Sequence, residues 1–84
     1  MNMQIREDLL DCFTKGYRYA VVELNDAMAR KILQEGIYSK EIQGRWKDKK
    51  IYLLPHKTYK EHYFHVRGEK EEPKNLGDKA VLLR

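Results

Sequence analysis

A chain of 84 residues with one cysteine, 42% apolar and 36% charged residues and a net charge of +4 has room for a single small core. Lone Cys12 excludes a disulfide-stapled scaffold, and apolar residues gathered in helix-like and strand-like runs exclude a disordered chain. The longest apolar runs, near 20–22 and 51–54, are far too short to span a bilayer, and no apolar stretch follows the charged N-terminus as a signal peptide requires. One compact domain over 1–84, cytoplasmic and without membrane contact, is therefore expected.

Residues 3–15 are predicted to form an amphipathic helix. Ile5, Leu9, Cys12 and Phe13 fall on one face of a 3.6-residue period, Asn2 can cap the start and Gly16 stands where a helix ends. Residues 17–24 are aromatic and β-branched, apolar on both faces at the centre, and predict a central strand. Asn25 then caps a second helix over 26–35, with Met28, Ala29, Ile32 and Leu33 as its buried stripe and Gly36 as its stop. In 41–46, Ile42, Gly44 and Trp46 alternate with polar residues. With the polar turn at 47–49 and the apolar run 50–54, ended by Pro55, they predict a β-hairpin. The stretch 58–65 reads as helix or strand. A strand over 62–67 is favoured, with Phe64 and Val66 inward and Tyr63, His65 and Arg67 outward. Residues 69–78 are a charged loop expected to be mobile, and 79–83 a terminal strand. The expected fold is α+β, with two helices on one face of a small, mostly antiparallel sheet in the order α-β-α-β-β-β-β.

Charge and aromatics are unevenly placed. Residues 1–36 carry five Lys/Arg and six Asp/Glu, 37–68 eight and three, and 69–84 four and four, so the positive excess sits in the middle third. The same third holds six of the nine aromatics and all three histidines. Cations for phosphates and flat rings for bases are what a nucleic-acid surface needs. If the hairpin and the 62–67 strand are neighbours, Arg45, Tyr63, His65 and Arg67 share the sheet face turned from the helices, with Lys47, Lys49 and Lys50 at the rim. These seven are the candidate nucleic-acid contacts. The plain alternative is a solvated sheet face with edge lysines that block aggregation.

Other constellations are weaker. The run Arg18–Tyr19–Ala20–Val21–Val22 lacks the glycine and second aromatic of the RNA-recognition-motif signature. His62 and His65 point to opposite faces of a strand, so no metal site is expected, and no cofactor motif is present. Cys12 lies on an apolar stripe and reads as structural. Acid–base RNA cleavage by His65 with Arg67 or Lys60 is chemically open, but no second partner stands out. Trp46 alternates with Ile42 and reads as a core anchor. The leading expectation is thus a non-enzymatic binding domain for nucleic acid. The rival is a small regulator or inhibitor that docks on a larger protein, and an edge strand could pair with its own copy to give a homodimer.

Overall fold

Ile5, Leu9, Cys12 and Phe13 recur at helical spacing, and helix α1 (Met3–Thr14) buries all four. Gly16 ends it in the left-handed region (φ 98°), with its N–H donating to the Phe13 carbonyl at 3.0 Å. Strand β1 (Tyr19–Asn25) follows, and Ala20, Val21, Val22 and Leu24 are all wholly buried. Asn25 closes the strand and opens helix α2 (Asp26–Glu35): its Oδ1 accepts from the Ala27 N–H at 2.8 Å. Such a cap contributes about 1 kcal/mol. The computed structural model describes residues 3–35 and 40–83. The proposed cap at Asn2, the stop at Gly36 and Tyr38 lie outside them.

After α2 come a short helix α3 (Lys40–Gly44) and strands β2 (Lys50–His56), β3 (Phe64–Glu69) and β4 (Val81–Leu82). They form one four-stranded mixed sheet in the order β3-β1-β2-β4. β1 is central, as its doubly apolar pattern requires. It pairs parallel with β2 and antiparallel with β3, and β2 pairs antiparallel with β4. The fold is α+β, with three helices packed on the sheet. Among the described residues no helix is long and apolar enough to cross a membrane.

The expected hairpin does not form. Residues 41–46 alternate as a strand would, but Ile42 and Trp46 are also four apart, which places them on one side of a helix. Packing decides between the two periods. Ile42 is wholly buried, and Trp46 rests on the same core with its ring 6.0 Å from Phe13. Freed of a hairpin partner, β2 lies parallel to β1, and α2 with α3 supplies the crossover that a parallel pair needs. The order is α-β-α-α-β-β-β, not the one expected. The terminal strand narrows to Val81–Leu82, and 57–63 is turns rather than helix or strand.

Candidate functional site

The register divides the sheet into two faces. Ala20, Val22 and Leu24 of β1 and Ile51 and Leu53 of β2 join one core with the helices, and Phe64 and Val66 of β3 pack against it. Side chains alternate along a strand, so Tyr19, Val21, Glu23, Lys50, Tyr52, Leu54, His56, His65, Arg67 and Glu69 belong to the opposite, more open face, where Val21 is wholly buried and the others are half-buried or exposed. Phe64 and Val66 inward with His65 and Arg67 outward is the pattern expected of that strand.

Glu23 is the centre of the open face. It is the one acid in the central strand, with a side chain 19% exposed. Arg67 Nη1 lies 3.7 Å from its Oε1 on one side, and His56 Nε2 lies 3.8 Å from the same oxygen on the other. Both contacts are too long for hydrogen bonds, so the carboxylate is bracketed by nitrogens rather than saturated by them. Arg67 is steadied from its other side by Glu69, with Nε 3.0 Å from Oε1. His65 stands directly across from Glu23 in the β1–β3 register and is exposed.

An aromatic column borders this group. The His56 and Tyr59 rings stack at 4.2 Å, and Tyr63 meets Tyr59 edge-on at 4.9 Å with 49% of its surface exposed. The Asn25 side-chain amide anchors the column by donating to the Tyr59 carbonyl at 2.7 Å. Desolvation, then the charge of Glu23, pushes the Tyr59 phenol up from its ordinary value. At the other end of the face the Tyr52 hydroxyl donates to Glu72 at 3.1 Å. Burial and that bond raise the Tyr52 phenol as well.

The other basic residues gather elsewhere. Arg45 follows α3 directly, and its guanidinium carbon stands 4.6 Å over the Trp46 ring. Lys49 Nζ lies 5.7 Å from the same ring, and Lys47 is exposed in the turn between them. The turn is held by the Lys49 N–H donating to the Trp46 carbonyl at 3.0 Å. Trp46 Nε1 is shielded and has no hydrogen-bond partner among the described residues. Lys50, the next residue, opens β2 on the open face, opposite Tyr19.

The seven residues singled out from the sequence therefore fall into two groups. Tyr63, His65 and Arg67 meet at the open face, and Arg45, Lys47 and Lys49 surround Trp46 on the helix side, with Lys50 between. Arg45 does not share a sheet face with Tyr63 and Arg67, because the strand that would have carried it there is a helix. The open face is also not cationic: Lys50 and Arg67 are outweighed by Glu23, Glu69 and Glu72.

No family model, curated protein or solved structure gives a significant match to this chain. What the site can do rests on its own chemistry. Glu23 is the residue that sequence reasoning missed. Its signal was present: a carboxylate inside an apolar strand that should be covered on both sides needs a partner, and Arg18, the one cation in 17–24, alternates to the other face.

Proposed function

We propose that the chain is a binding domain for nucleic acid, with Arg45, Lys47, Lys49 and Lys50 meeting phosphates beside Trp46. The observation that carries this reading is charge that the fold leaves uncompensated. Residues 45–50 hold four cations and one acid, Asp48, a net of +3. Among the described residues no carboxylate stands within ion-pair distance of those four cations, whereas Arg67 and Lys15 are both paired. Unpaired cations around a ring are where a phosphate backbone gains most, since binding releases its counterions. Tyr63, half exposed at the end of the aromatic column, offers a base a surface to stack on.

Fluorescence anisotropy with single- and double-stranded oligonucleotides tests the reading. Binding at 50 mM salt that falls by roughly two decades by 200 mM is expected for about four phosphates neutralised. The double variant Arg45→Glu/Lys47→Glu should abolish it while leaving the fold intact, because both side chains are exposed. Absence of binding to every oligonucleotide at low salt refutes the proposal.

A protein partner is the second reading, favoured by a groove along α2. Met28, Ile32 and Glu35 of α2 face the turn at Glu61 and His62 across it, and Leu33 on the same helix is 44% exposed. Retention of one protein from nuclease-treated lysate, lost on Met28→Asp, would favour this reading over nucleic acid.

A further inference from the structure

We infer that the open face of the sheet is a site for cleaving single-stranded RNA, with Glu23 as general base, His65 as general acid and Arg67 as the cation that meets the phosphate. The inference goes beyond the binding proposal and centres on other residues, Glu23, His65 and Arg67, with only Tyr63 shared between the two.

Transesterification of RNA needs three groups around one phosphorus: an acceptor for the 2′-hydroxyl proton, a donor for the leaving oxygen and a fixed positive charge for the phosphorane. The sheet supplies them on adjacent strands. Glu23 and His65 are register partners of an antiparallel pair, which sets their β-carbons about 4.5–5.5 Å apart. Arg67, two residues along β3 on the same face, lies 3.7 Å from Glu23. Glu69 fixes this guanidinium from behind, and 39% of the Arg67 side chain stays exposed. The ion pair holds the guanidinium while its shielded Nε makes no hydrogen bond among the described residues, so the exposed part of the fork is what can meet a phosphate.

The neighbours suit these roles. Glu23 Oε1 makes no hydrogen bond to Arg67 or His56 at 3.7 and 3.8 Å, so neither of them takes up its proton-accepting capacity. His56 acts as a positioning residue: stacked flat on Tyr59, it holds Nε2 toward Glu23 from the side away from Arg67. The rigid support matters because misplacement by an ångström costs on the order of 100-fold in rate. Tyr63, on the same column, can stack a base beside the scissile phosphate.

The step balances with these groups alone. The Glu23 carboxylate takes the 2′-hydroxyl proton as the 2′-oxygen forms a bond to phosphorus. The bond from phosphorus to the 5′-oxygen breaks, and the protonated His65 ring gives its proton to that oxygen. The products are a 2′,3′-cyclic phosphate and a free 5′-hydroxyl. Exchange with water returns Glu23 and His65 to their starting forms. DNA lacks the nucleophile and would bind without being cut.

The test is a fluorogenic single-stranded RNA oligonucleotide cut by the full chain in EDTA, with products identified by mass. Wild type should cleave to cyclic-phosphate and 5′-hydroxyl ends, and a 2′-deoxy substitution at the scissile position should stop it. Glu23→Gln and His65→Asn should each slow cleavage at least ~100-fold, with circular dichroism and melting unchanged. His65 is exposed, so its variant keeps the test valid if Glu23→Gln fails to fold. No cleavage by wild type, wild-type rates in His65→Asn, or 5′-phosphate products would overturn the inference. Binding of the deoxy oligonucleotide, lost in Arg45→Glu/Lys47→Glu, reports separately on the proposed function.

Discussion

Gly68 shows how little freedom single residues have in this core. It lies opposite Ala20 on the helix-facing side of the sheet, where the ring of Tyr17 and the sulfur of Cys12 close over the backbone. An added β-carbon would stand 2.5 Å from the Tyr17 ring and 2.9 Å from Cys12 Sγ. Gly68→Ala should therefore cost ~1–3 kcal/mol, read as a lower denaturant midpoint at unchanged slope. A midpoint equal to wild type would mean that Tyr17 swings clear at no cost. Glu23 teaches the converse lesson. A carboxylate in a central strand is tolerated because Arg67 and His56 bracket it and its side chain keeps 19% of its surface exposed.

At the scale of elements, the two longer helices were legible from their apolar period, with Gly16 ending the first and Asn25 capping the second, and the central strand from its doubly apolar run. Five residues of α3 were not. A run that short satisfies strand alternation and helical spacing together, and only the core behind Ile42 separates them. Ile42 is wholly buried, so Ile42→Ala should destabilise the protein by ~2–5 kcal/mol. The alternative strand would have placed Ile42 on one face of a hairpin at the edge of the sheet, where truncation costs less. A loss under 1 kcal/mol by urea titration would return 40–46 to that reading. The consequence reaches the site, since Arg45 and Lys49 meet over Trp46 only because α3 turns the chain there.

For the whole molecule, β3 and β4 form the two edges of the sheet, so residues 70–80 carry the chain from one edge to the other, tied to Tyr52 through Glu72 on the way. The radius of gyration is 11.8 Å, close to the ~12 Å expected of a compact chain of this length. Global stability should fall at alkaline pH. Burial, then the charge of Asp11, raises the Cys12 thiol above its ordinary 9.0, so the folded state holds the neutral form. That contribution is complete below the ordinary value and disappears as pH climbs through the raised one. Tyr52 and Tyr59 act in the same direction from 10.0 upward. Urea midpoints should thus drop above about pH 9, and Cys12→Ala should delay the drop to the tyrosine range. An identical pH profile in the variant would show that the thiol plays no part.

The fold class, the helices α1 and α2, the central place of β1 and the gathering of cations and rings in the middle third could all be read from residue order. Each depends on local period, capping or composition, which neighbours in sequence carry by themselves. Pairing could not be read. Whether 50–56 meets its predecessor in a hairpin or β1 in parallel depends on which contacts across the fold bury more apolar surface. That choice placed Arg45 with Trp46, away from the open face. It also set Glu23, His56, His65 and Arg67, separated by up to 44 residues, around a single carboxylate.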